Sequence, residues 1–101
     1  MTRRLVFRAT AESDLSSLFR FIAETSGPAR AGAYLDRIEH ACLSLLTFPE
    51  RGTRRDDIVP GLRTIGFERR VTIAFRVVAD TVEMVAIAYA GRSFESDLQE
   101  D

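Results

Sequence analysis

An α+β fold in the order β-α-α-β-β-β is predicted by three features of the chain. Two apolar stripes of helical period lie between Thr10 and Thr47, separated by Ser26-Gly27-Pro28. Three alternating apolar runs follow a polar, arginine-rich loop, and one short alternating run precedes the helices. The simplest arrangement that buries every apolar face is one helical hairpin laid across a small, mainly antiparallel, twisted sheet. With 101 residues and 46% hydrophobic side chains, residues 1–101 are assigned to one domain, and the acidic end from about 95 to 101 is expected to fray.

Each element has its own local reason. In the first strand, Arg3 to Arg8, Leu5 and Phe7 alternate with Arg4, Val6 and Arg8. Thr10 is the expected N-cap of the first helix, with Glu12 and Asp14 placed in its positive first turn. Leu15, Leu18, Phe19 and Ile22 then form one stripe, and the helix is expected to end near Glu24. Gly27 suits a helix terminus and Pro28 the first position of the next helix. The second helix is expected to reach about Thr47. Its inner stripe is Tyr34, Ile38, Ala41, Cys42 and Leu45, with Arg30, Arg37, Glu39 and Ser44 on the other side. The short link makes the two helices an antiparallel pair.

Pro49 and Gly52 stop that helix and open a polar loop, Arg51 to Pro60. The next strands are Leu62 to Phe67 and Arg70 to Val78, the latter with Val71, Ile73, Phe75 and Val77 on one face. Asp80-Thr81 is the expected turn into the last strand, Val82 to Tyr89. There, Val82, Met84, Ala86 and Ala88 are assigned to one face and Val85, Ile87 and Tyr89 to the other. A strand apolar on both faces belongs inside a sheet.

The charge is distributed unevenly. The formal net charge is −1, yet seven of the fourteen arginines lie between Arg51 and Arg76, against Asp56, Asp57 and Glu68. All the positive side chains are arginine, a bias assigned mainly to base composition. Guanidinium forks suit carboxylates and phosphates, so this segment fits an acidic surface or a phosphate. The single Cys42 rules out an internal disulfide and fits a reducing compartment. Neither a signal peptide nor an apolar run of the ~20 residues that cross a bilayer is apparent.

The chemistry-bearing residues are sparse. His40 reads as a helix surface residue and Cys42 as a buried small hydrophobe. One His and one Cys make no structural zinc site, and neither a metal nor a cofactor is expected. Arg51, Arg54 and Arg55 lie on a loop, where solvation and binding are both open. Arg63 starts a strand and Arg92 follows the last one. They read either as an anion-binding pair or as edge arginines bridged to Glu68 or Glu95. Arg69 and Arg70 point to opposite faces. Tyr89 and Phe94 flank Gly91-Arg92, an interface-like grouping, although sheet packing also accounts for Tyr89.

Together these residues resemble the ParE-type toxins of the RelE/ParE superfamily. The resemblance rests on Ala11-x-x-Asp14-Leu15 with Phe21-Ile22-Ala23-Glu24, then Ile38, Ala41 and Leu45, then Pro49-x-x-Gly52 and Arg55. Gly61-Leu62-Arg63, Val71-x-Ile73-x-Phe75-Arg76-Val77 and Ala90-Gly91-Arg92 complete it, over roughly residues 4–94. It implies a RelE-like fold and a cytoplasmic toxin of a type II toxin–antitoxin pair. A ParD-like antitoxin would wrap the toxin in a hetero-oligomer and bind operator DNA through its own N-terminal domain. ParE-type toxins poison DNA gyrase; RelE-type relatives cleave mRNA on the ribosome. Cleavage would fall to Arg63, Arg92 and Tyr89, with no His near them and Ser93-Phe94 following Arg92. The gyrase branch is preferred, with no catalytic residue and with Arg63, Arg69, Arg92 and Phe94 as target-binding candidates. A further reading keeps the fold and the antitoxin contact without toxicity.

Overall fold

Backbone pairing begins at Arg4, whose amide donates to the Asp80 carbonyl at 2.8 Å and so starts the first strand against the last. The computed structural model describes residues 3–89. The elements are β1 (Arg4–Phe7), α1 (Ala9–Ser26), α2 (Pro28–Ser44), β2 (Thr53–Arg54), β3 (Arg63–Phe67), β4 (Val71–Val78) and β5 (Thr81–Tyr89). They form one five-stranded sheet in the order β1-β5-β4-β3-β2. β1 runs parallel to β5 and the other pairs are antiparallel. The α+β class and the helical hairpin on a mainly antiparallel sheet are as the sequence predicts, and β5 is an internal strand.

Several boundaries differ, each for a tertiary reason. Arg8, not Thr10, occupies the N-cap position of α1, and no side chain caps it. The Arg8 amide is still paired with the Met84 carbonyl at 3.0 Å, so the chain passes from sheet to helix without a spare turn for Thr10. Asp14 lies beyond the first turn, and its Oδ2 accepts the Ile87 amide at 2.9 Å. β1 pairs with β5 only up to Met84, and Asp14 satisfies a donor on the stretch of β5 beyond it. Phe19 stands 38% exposed; the buried side of α1 is carried by Ala11 and Leu18, with Leu15 and Ile22 packed beside them.

Gly27 takes φ +92°, a conformation open to glycine, and Pro28 starts α2. Helix α2 stops at Ser44. Leu45, Leu46 and Thr47 close tighter i−3 bonds to Cys42, Leu43 and Ser44, a last turn that draws in Leu45 while ending the helix.

The main core lies between the hairpin and one sheet face. It contains Leu18, Ile38, Leu45, Ile73, Phe75 and Met84. Strict alternation fails in β5, because Ala74 pairs with Ala86 while Phe75 pairs with Met84. Val85 is the extra residue of a β-bulge. Met84 and Ile87 therefore share the helix-side core, whereas Val85, Ala86 and Ala88 belong to the opposite face. The assigned face sets hold only within each side of that bulge.

A second, smaller core covers the opposite face. Leu62, Ala74 and Val85 pack there under Ile58 and Val59. The segment expected as a polar loop thus contributes apolar cover as well as the two-residue strand β2. The β4–β5 turn is Ala79-Asp80, one position earlier than expected, since Thr81 already pairs with Val78.

Candidate partner-binding cleft

Beyond the C-terminal end of α2, the described residues leave a cleft on the helix-side face of the sheet. Arg63 pairs with Phe75 across β3 and β4, and by alternation shares a face with Ile65 and Phe67 of the main core. Because α2 ends at Ser44, Arg63 is not roofed by the helix. It instead lines a cleft of about 710 Å³ with Arg3, Phe48, Arg51, Arg54 and Val77. Val77, assigned to one face with Val71, Ile73 and Phe75, is 37% exposed there, and Phe48 is 64% exposed.

Three of the four arginines are fixed by the protein. Arg3 Nη1 donates to the Leu46 carbonyl at 3.2 Å, which ties the chain start to the end of α2. Arg51 Nη1 donates to Ser44 Oγ at 3.0 Å, and that hydroxyl donates to the Ala41 carbonyl at 2.6 Å. Arg54 Nε donates to Asp56 Oδ2 at 3.1 Å, while Asp56 Oδ1 accepts the Gly61 amide at 2.8 Å. The Gly61 amide, then Arg54, hold the Asp56 carboxyl below the usual range, so it stays ionised beside the cleft.

Arg63 is different. Among the described residues three arginines are half-buried: Arg55, Arg63 and Arg76. Arg55 pairs with Asp57 at 3.0 Å and Arg76 with Glu83 at 3.0 Å. Glu68, one sequence-level partner for Arg63, is taken by Arg37 at 2.9 Å. The Arg63 guanidinium makes no ion pair among the described residues, although its charge is felt at Asp56. A partly desolvated cation without a counter-charge is a group that gains from an external acid.

The family model described as the ParE toxin of a type II toxin–antitoxin system, parDE, matches residues 5–94. The chain belongs to this ParE family. Among curated relatives, Toxin ParE3 of Caulobacter vibrioides is 39% identical over 61 residues, which is 60% of this chain and 61% of that protein. Two solved structures share the fold. A chain of the chromosomal ParDE system from P. aeruginosa aligns with TM-score 0.76 at 24% identity, covering 88% of this chain and 97% of its own. The isolated E. coli RelE toxin aligns with TM-score 0.59 at 14% identity, covering 97% of each.

Within this ParE-family fold the remaining candidates are scattered. Arg69 sits in the β3–β4 turn, at the other end of β3 from Arg63. Tyr89 pairs with Val71 and Arg63 with Phe75, four positions apart along β4, or about 13 Å. The Tyr89 ring packs against Phe21 at 5.5 Å between centroids. Both Tyr89 and Phe21 line a second cleft of about 640 Å³ with Tyr34, Arg37 and Arg70. Arg92 and Phe94 lie outside the described residues, so their distance from Arg63 is not defined. His40 is exposed. Arg3 and Phe48 escaped the sequence reading of the site; the only hint was Phe48-Pro49 directly after a helix, and nothing local links Arg3 to Arg63.

Two features away from the cleft yield predictions. Glu68 and Arg69 have φ of 49° and 65°, and the Arg70 amide bonds back to the Phe67 carbonyl at 3.3 Å. That is the type I′ geometry in which glycine is preferred. Arg69→Gly is expected to raise stability by about 0.5–1 kcal/mol in urea unfolding, since relief of left-handed strain outweighs the added freedom of the unfolded chain. Cys42 is fully buried, and burial pushes its thiol up to about 12. An aromatic disulfide reagent at pH 8 should leave the native thiol unmodified and label it fully in urea. The sign of the linkage also follows. Between the unfolded thiol value and about 12 the unfolded chain loses this proton first, so stability falls as pH rises through that window.

Proposed function

We propose that this ParE-family chain is the toxin of a type II toxin–antitoxin pair, that it acts in the cytoplasm by binding DNA gyrase, and that it breaks no bond itself. A cognate ParD-like antitoxin neutralises it in a hetero-oligomer, and contact with operator DNA runs through that antitoxin. No described helix is long and apolar enough to cross a membrane. The observation that carries the choice of target is the separation of Arg63 from Tyr89. A phosphate held by Arg63 would sit in one cleft while Tyr89 lines the other, four strand positions away, which sets that hydroxyl apart from the same ribose. Arg63 instead shares its cleft with an exposed aromatic, Phe48, and arginine and aromatic side chains are both enriched at protein interfaces.

The test uses purified chain with gyrase and, separately, with a translating extract. Supercoiling should be inhibited and restored by antitoxin, while ribosome-bound transcripts stay whole. Full supercoiling at saturating toxin, together with cut transcripts, would move the assignment to a ribosome-dependent mRNA endonuclease of the RelE type.

A further inference from the structure

From the cleft at the end of α2 we infer a docking site for an acidic, apolar-anchored peptide segment of a partner protein. One carboxylate of that segment pairs with Arg63, and an adjoining bulky apolar side chain packs on Phe48 and Val77. The inference concerns the chemistry of the occupant and holds whichever cellular protein is the target.

Four observations converge on this occupant. First, Arg63 is the half-buried arginine that no described carboxylate pairs, whereas Arg55 and Arg76 both have acid partners. Second, the cleft lining holds Arg3, Arg51, Arg54 and Arg63 against one acid, Glu50, so its field favours an anion. Third, Arg3, Arg51 and Arg54 are tied to Leu46, Ser44 and Asp56. Each tie takes one N–H, so these three add field from held positions, while Arg63, the half-buried member of the four, keeps its whole donor fork for one carboxylate. Fourth, Phe48 at 64% exposure and Val77 at 37% put apolar surface at the same cleft. Water is a poor partner for that surface, and so is a sugar–phosphate backbone; a Leu or Phe side chain is a good one. A concave site of about 710 Å³ accommodates two or three side chains of an extended segment.

The experiment titrates full-length chain into a fluorescent 12-residue probe peptide in which Asp and Glu alternate with Leu and Phe, read by anisotropy. Two further probes are the same peptide with Asn and Gln in place of its acids, and a 20-base-pair DNA duplex. Wild type should bind the acidic peptide at least tenfold tighter than the amide version. Arg63→Ala should weaken it about tenfold or more and Phe48→Ala about fivefold, while Arg63→Lys keeps part of the affinity. The exposed Arg20→Ala serves as an unaffected control. Arg63→Ala removes no ion pair, so its melting temperature should match wild type and loss of fold will not mimic loss of binding. Two results would overturn the inference: acidic-peptide binding indifferent to both Arg63 and Phe48, or DNA binding tighter than the peptide with dependence on Arg63 but not on Phe48. Supercoiling assays on the same samples separate the two proposals. Wild type that leaves gyrase unaffected removes the gyrase reading alone, and the cleft assignment is then decided by the peptide titration.

Discussion

Phe75→Ala is expected to cost about 3–5 kcal/mol of folding stability, measured by urea or thermal unfolding. Phe75 is fully buried on the middle of β4, in the cluster that holds Ile38, Leu45, Ile73 and Met84. Its register partners are Arg63 on one side and Met84 on the other, so strands hem it in and the helical hairpin covers it. A cavity left there has little freedom to collapse, which places the loss at the upper end of the large-to-small range. Domains of this size are stabilised by only about 5–15 kcal/mol in total, so the variant should be marginal at 37 °C. Phe75→Leu, which keeps most of the volume, should lose about 1–1.5 kcal/mol. The neighbouring Val77→Ala, at a position 37% exposed, should lose well under that. A Phe75→Ala variant melting within a few degrees of wild type would show that the helix–sheet interface is not the main core.

Gly52→Ala is the second large effect, expected at about 2–4 kcal/mol by the same measurement. Gly52 has φ +83°, and a Cβ built there would overlap the Thr64 carbonyl oxygen, with Ile65 Cγ2 at 2.6 Å and the Thr64 carbonyl carbon at 2.9 Å. The obstruction is mostly backbone of β3, which cannot swing aside as a side-chain tip would. Thr53 pairs with Thr64 immediately after this glycine, so the close approach is what lets β2 lie against β3. The added methyl should detach β2 and loosen the Arg54–Asp56–Gly61 framework beside the cleft. Gly61→Ala provides the contrast. Gly61 also has positive φ, +81°, but a Cβ there meets nothing within 4 Å, so only backbone strain of about 1 kcal/mol is expected. Equal losses for the two variants would contradict the steric argument.

The second helix shows how far local signals reach. Gly27-Pro28 marks its start and the Ile38, Cys42, Leu45 spacing marks its buried face, because both depend on neighbours within two turns. Its end is less legible. Leu45 and Leu46 continue the apolar pattern, yet the chain tightens into i−3 bonds after Ser44. Asp14 reads from sequence as a first-turn acid, but its working contact is the Ile87 amide, 73 positions away. The cleft follows the same division. Arg63 stands out in the sequence through its place after Gly61-Leu62, but Arg3, Phe48 and Val77 join it only when β1, the end of α2 and β4 come together. Arg69, also drawn from the arginine-rich segment, is carried to the far end of β3.

The order of the helices and the four longer strands, the apolar stripes of the helices and the concentration of arginine were determined by the amino-acid sequence itself, since periodicity and turn chemistry act over a few residues. Which half-buried arginine among the described residues was left without an acid partner was decided only by the tertiary structure. Asp57 and Glu83 go to Arg55 and Arg76, and Glu68 goes to Arg37. Pairing depends on side-chain distances of a few ångströms, and those are fixed by strand register, by the bulge at Val85 and by the early end of α2, none of which a one-dimensional pattern contains.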